Sequence, residues 1–216
     1  MIEFKNITAT YKKDVGVFDI SFKVEPGELV FLMGPTGAGK STVLRTIYRA
    51  INIDNGQLFV DGEDISSITK SKIPLVRQKI GMIFQDFKLL DNRTVLENVA
   101  LPLRIEGLSN GEIYKKVNKT LSTVGLSKLY NSFPNELSGG EQQRVSIARA
   151  LVKEPKIILA DEPTGNLDPN VSDEILDLLD LFTKKGTAVL MSTHNFPLIK
   201  PRKKRFIELS NGRIID

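Results

Sequence analysis

The chain has 216 residues, 41% of them hydrophobic and 26% charged, with no cysteine and a formal net charge of +4. These figures exclude a disordered, collagen-like or disulfide-scaffold chain and any thiolate metal site. The charge is too mild to imply nucleic acid as a partner, and the length allows one domain with a sizeable core.

Residues 1–20 carry charges throughout and contain no apolar leader core. The next elements are two segments, 2–10 and 17–24, that alternate apolar and polar residues as half-buried antiparallel strands do. Pro26-Gly27 breaks the pattern. Leu29–Met33 is then a continuous apolar run, typical of a strand buried on both faces, and similar runs recur at 80–84, 157–160 and 188–191. Helices are expected at 40–50, 112–124, 141–152 and 171–184. Buried strands alternating with helices predict an α/β fold with a mainly parallel sheet. The stretch from about 87 to 150 has no strand run and reads as an inserted helical subdomain. The expected division is an α/β core over about 1–86 and 151–216, with a small antiparallel β-subdomain at its N-terminus, and a helical subdomain over about 87–150. The longest apolar runs are four or five residues, far below the ~20 needed to span a bilayer. The chain is therefore expected in the cytoplasm, reaching a membrane only through a partner.

Gly34-Pro35-Thr36-Gly37-Ala38-Gly39-Lys40-Ser41 fits the phosphate-loop pattern, between a predicted strand and a predicted helix that continues with Thr42. Glycines let backbone N–H groups curl around phosphate oxygens, and the helix N-terminus adds a positive dipole. Lys40 would neutralise the β- and γ-phosphates, and the Ser41 hydroxyl would bind Mg²⁺. The alternative is a Gly-rich turn, but the pattern arises by chance in only about one chain of this length in a hundred.

Asp161-Glu162 follows the apolar run at 157–160. Beside a phosphate loop, Asp161 would hold the Mg²⁺ shell, and Glu162 could orient and deprotonate an attacking water. Ser138-Gly139-Gly140-Glu141 opens a further helix. Ser138 with Glu141 is a capping box, yet a capping box does not call for two glycines, so capping and ligand roles both stand. His194, the only histidine, follows a strand's carboxyl end, as do the phosphate loop, Gln85 and Asp161. In open parallel sheets the ligand crevice lies outside those ends, which favours a functional His194 that could hydrogen-bond a γ-phosphate or the water.

Together, the phosphate loop, Gln85, the signature Leu137-Ser138-Gly139-Gly140-Glu141, Asp161-Glu162, Asn166-Leu167-Asp168 and His194 resemble the motifs of ABC-type ATPase subunits over essentially the whole chain. The resemblance implies a P-loop NTPase fold and ATP hydrolysis with Mg²⁺ held by Ser41, Gln85 and Asp161. Tyr11 falls where the family places an aromatic that stacks on adenine; as a residue it also reads as a strand aromatic. The family packs two subunits head to tail with ATP between them. That would bring Ser138, Gly139, Gly140 and Glu141 to the ATP of the other copy and put Asp168 at the dimer seam.

Residues 84–90, Arg93-Thr94-Val95 and 97–103 resemble the bacterial cell-division branch of the family. This implies an integral membrane partner and control of cell-wall hydrolases. Lipoprotein-extracting and macrolide-exporting ATPases, and an ATP-gated scaffold without transport, are the alternatives. A GTPase is excluded because Asn118-Lys119 continues Thr120-Leu121 rather than N-K-x-D. A small-molecule kinase would lack the second glycine motif. A DNA-repair ATPase would carry a long coiled coil where only about 95 residues, without sustained heptads, separate phosphate loop and signature. Asn195 stands where the family commonly has Asp. The basic run 200–205 reads either as a solvated face or as a contact for anionic lipid headgroups.

Overall fold

The computed structural model describes residues 1–215. The chain runs β1 (Ile2–Lys12), β2 (Val15–Val24), β3 (Leu29–Met33), α1 (Lys40–Ile47), β4 (Asn55–Val60), β5 (Glu63–Asp64), α2 (Ile73–Gln78) and β6 (Ile80–Ile83). Three helices follow: α3 (Val95–Ile105), α4 (Asn110–Thr123) and α5 (Gly139–Leu151). The remainder is β7 (Ile157–Asp161), α6 (Pro169–Thr183), β8 (Ala188–Thr193), α7 (Phe196–Ile199), β9 (Phe206–Ser210) and β10 (Arg213–Ile215).

The strands make two sheets. One is antiparallel, in the order β2-β1-β4-β5; the other has the order β10-β9-β3-β8-β7-β6. In the second, β3 pairs in parallel with β8 and β9, and β7 with β6 and β8, while β10 returns antiparallel along β9. Side-chain alternation explains why these strands are apolar throughout. Val30, Leu32, Ile157, Leu159, Ala188 and Leu190 face the first sheet and α1. Leu29, Phe31, Ile158, Ala160, Val189 and Met191 face the opposite side, against α3 to α6. Each fully buried Leu, Ile or Phe contributes about 1.5–3 kcal/mol, so an inserted charge on either face would be costly.

The element ends have local causes. α1 stops at Ile47, short of position 50, because Arg49 turns left-handed at φ 56° and Ala50 N–H closes back on Arg45 O at 2.8 Å, a Schellman-type stop. α5 starts earlier than expected, because Ser138, extended at φ −62° and ψ 160°, is itself the N-cap. Both glycines therefore lie inside the first turn. Asp161 is the last residue of β7 rather than the first after it. Among the described residues, no helix is long and apolar enough to cross a membrane.

The basic run is built into the fold. Arg202 binds Asp173 (2.8 Å) and Asp177, Lys204 binds Asp180 (2.6 Å), and Arg205 binds Glu28 (2.8 Å). The first three of these acids lie on α6, so the run is mostly a strut between that helix and β9. Only Lys200 and Lys203 remain as exposed cations outside these pairs.

Candidate active site

Four neighbouring strands, β3, β8, β7 and β6, end at one edge of the sheet. The register sets Met33 beside Thr193, Asp161 beside Ser192 and Ile83 beside Ala160. The next residues along each strand are Gly34, His194, Glu162 and Phe84-Gln85, so the topology alone gathers the chemistry-bearing groups.

The phosphate loop needs its glycines. Gly34 and Gly39 have φ of 144° and 106°, and a Cβ would lie 2.2 Å from Leu209 O at the first and 3.0 Å from Val17 Cγ1 at the second. Lys40, only 5% exposed, donates to Gly34 O (2.8 Å) and Pro35 O (3.1 Å) and lies 3.4 Å from Glu162 Oε1. A phosphate in the loop would compete for that ammonium. Ser41 Oγ donates to Asp161 Oδ1 at 3.0 Å, and the buried Ser192 hydroxyl donates to the same oxygen at 2.7 Å. This hydroxyl and carboxylate are hard oxygen donors on adjacent elements, a set that suits Mg²⁺.

Glu162 has φ 44° and precedes Pro163. Left-handed backbone is uncommon for a residue of this type, and a proline next in sequence favours extended backbone before it. A conformation of this kind costs about 1–3 kcal/mol and persists only where the surroundings dictate it. Glu162 N–H donates to both Ser192 Oγ (3.0 Å) and Ser192 O (3.2 Å), and Gly165 N–H donates to Glu162 O (3.1 Å). The carboxylate points to His194 Nδ1 through Oε2 at 2.9 Å.

These groups share a pocket of about 440 Å³ lined by Tyr11, Thr36, Gly37, Gly39, Lys40, Ser41, Thr42, Gln85, Glu162 and His194. Tyr11 is 56% exposed at the end of β1. Gly34, Pro35 and Ala38 form the base of the loop, where Ala38 N–H donates to Pro35 O. Val15, Gly16 and Arg45 also line the pocket; their motif-free surroundings carry no sequence signal for it. Neither does Ser192, which reads as the tail of an apolar strand.

The signature residues lie elsewhere. Ser138 and Gly139 are exposed and do not line this pocket. Glu141 accepts from Ser138 N–H (2.8 Å) and Ser138 Oγ (2.7 Å), which holds its carboxyl below the usual range. Its carboxylate is thus committed to the capping box. The N–H groups of Gly139 and Gly140, in the first turn, have no acceptor within the helix and point outward. Gly139 lies beside Leu167, and Gly140 beside Val171, which puts this helix tip next to Asp168, the N-cap of α6. Asp168 is likewise outside the pocket.

The segment after Gln85 is fastened at both ends. Phe87 and Lys88 have φ of 57° and 51°, and their carbonyls accept from Arg149 at 2.7 and 2.6 Å. Burial pushes the Arg149 guanidinium down from its usual pKa. Asn98, fully buried on α3, accepts from Leu90 N–H (2.8 Å) and donates to Leu90 O (3.1 Å). Asn195 caps α7 by accepting from Leu198 N–H at 3.2 Å.

A phosphate loop on the central strand, an acidic strand end beside it and a second glycine-led helix form one combination that the family comparison recognises. The ABC transporter family profile matches residues 17–165, and the chain belongs to that family and carries its ATPase fold. Among curated relatives, the cell division ATP-binding protein FtsE of Streptococcus pneumoniae serotype 2 (strain D39 / NCTC 7466) is 44% identical over 216 residues, covering 100% of this chain and 94% of the relative. The proteins of the same description from Bacillus subtilis (strain 168) and Escherichia coli (strain K12) are each 45% identical, over 100% and 99% of this chain and 95% and 97% of their own lengths. The dimeric structure of MJ0796, described as a bacterial ABC transporter cassette, is similar with a TM-score of 0.89 and 37% identity, covering 100% of this chain and 97% of that one. A post-hydrolysis dimer of the same cassette, bound to ADP and Pi, gives 0.89 and 36%, with the same coverage of both chains.

Proposed function

We propose that this chain is the ATP-hydrolysing subunit of a bacterial cell-division system of the FtsE kind. It closes as a homodimer on ATP and acts on a separate integral membrane subunit of the FtsX kind that governs septal cell-wall hydrolysis. One observation carries the reading: Lys40, Ser41, Glu162 and His194 line a single pocket, with Asp161 bonded to Ser41 at its side, in a chain 44–45% identical along its length to cell division ATP-binding proteins. No nucleic acid is involved. The chain sits on the cytoplasmic face of the membrane, held there by its partner rather than by the basic run.

In this mechanism the N–H groups of residues 36–41 and the Lys40 ammonium hold the β- and γ-phosphates. The Tyr11 ring stacks on the adenine. Ser41, Asp161 and Gln85 would hold Mg²⁺, which would neutralise charge on the phosphate oxygens. Glu162 orients a water for in-line attack and takes its proton. His194 fixes the carboxylate by donating to it from Nδ1, which leaves Nε2 of the neutral ring to accept from the attacking water. The second copy supplies Ser138 Oγ and the N–H groups of Gly139 and Gly140, with Glu141 locking Ser138 in place and Asp168 at the seam. Two positive helix tips thus clamp one polyanion, and hydrolysis loosens the clamp. Closure moves the helical part, about 87–150, and the fastened segment Gln85 to Leu90 carries that movement to the membrane subunit.

Mixing two inactive variants tests the shared site. Lys40→Ala lacks its own phosphate loop but keeps its signature; Ser138→Arg has the opposite defect. Half the dimers in an equal mixture are mixed and hold one intact site of two, so about a quarter of normal turnover should return. A mixture no more active than its components contradicts the shared site.

A further inference from the structure

Three bonds hold the Glu162 turn from within its own neighbourhood: the two from Glu162 N–H to Ser192 and the one from Gly165 N–H. A fourth comes from a distant element. Gln143, on α5, donates its Nε2 to Pro163 O at 2.6 Å, in a wholly buried contact. A carbonyl oxygen only accepts, so the amide nitrogen must be the atom that faces it.

This glutamine is an expensive residue to keep there. It is 0% exposed, and its Oε1 is buried with no hydrogen-bond partner. An apolar side chain of equal size would fill the same buried position without desolvating an amide. Satisfying Pro163 O occupies only the amide nitrogen, so Gln143 is a costly choice for packing, and what it secures is the Pro163–Thr164 peptide bond, one residue past Glu162.

We propose that Gln143 is a positioning residue for hydrolysis. By fixing the Pro163 carbonyl it holds the left-handed backbone at Glu162, which keeps the carboxylate 2.9 Å from His194 Nδ1 and 3.4 Å from Lys40 Nζ. The bond also ties α5, whose tip is Ser138 to Gly140, to the turn that directs the water in the same chain. This proposal rests on Glu162 as the water-directing group.

The test compares Gln143→Met, Gln143→Leu and Glu162→Gln in the full chain, with kcat, KM, equilibrium ATP affinity and thermal midpoint measured for each. Both Gln143 variants should lose about tenfold in kcat, the effect of one well-made hydrogen bond. KM and ATP affinity should stay within about twofold, and the thermal midpoint should fall by no more than a few degrees, because Pro163 O loses its partner while an unpartnered amide oxygen leaves the core. An unchanged kcat overturns the proposal. So does a loss of kcat matched by loss of ATP affinity, or by a thermal midpoint lower by more than about 10 °C, which would mark a purely structural role. If Glu162→Gln turns over normally, the catalytic reading of Glu162 fails and the proposal with it. If Glu162→Gln is inactive while both Gln143 variants are fully active, only the positioning proposal fails.

Discussion

Glu162 carries the strained backbone of this site, and its neighbours explain why one carboxylate can be aimed so closely. Glu162→Gln keeps the shape and removes the proposed base. It should bind ATP as the unaltered chain does while phosphate release falls about 10²–10⁴-fold, the usual share of a general base. Lys40→Ala removes a buried ammonium that charge-assisted bonds to phosphate would use, so equilibrium binding should show ATP affinity lower by about 10–100-fold. The residues behind both predictions were legible in the sequence, because each follows an apolar strand and so lies at the sheet's carboxyl edge. Ser192 and Gln143 were not. One is a hydroxyl at the tail of an apolar run and the other an amide in a helix, and nothing local distinguishes such groups from ordinary structural polar residues until the fold brings Asp161 and Pro163 beside them.

Among the elements, the helix starts carry a pH signature. Glu97, Glu112 and Glu141 each close a capping box, and hydrogen bonds from Thr94, Ser109 and Ser138 hold their carboxyls below the ordinary glutamate value of 4.5. Because the folded values are depressed, this stabilisation is complete above 4.5 and is lost as pH falls through the depressed values. Helical circular dichroism followed from pH 6 to pH 2 should therefore show an acid transition, which Glu97→Gln combined with Glu112→Gln diminishes. The strands buried on both faces were readable from their unbroken apolar runs. The pair β4–β5 and the pair β9–β10 were not anticipated, although Asp61-Gly62 and Asn211-Gly212 carry the Asx-Gly hairpin signal, with positive φ at all four residues. Their strands are short, and exposed residues interrupt their apolar alternation. Helix limits shifted for reasons of capping, as at Arg49 and Ser138, which a periodic pattern does not register.

At the scale of the whole molecule, the proposed head-to-tail dimer would make the single chain half of two sites. Its pocket opens beside Lys40 and Glu162, while the outward N–H groups of Gly139 and Gly140 lie apart from it. A second copy joined head to tail would complete both. Locking the dimer with Glu162→Gln and ATP makes the arrangement visible, and solving the structure of that complex is the most direct test. The expected result is two chains enclosing two ATP molecules, each γ-phosphate within hydrogen-bonding distance of Lys40 of one copy and Ser138 of the other. A triphosphate enclosed by one copy alone, with Ser138 remote from every ligand, would contradict it.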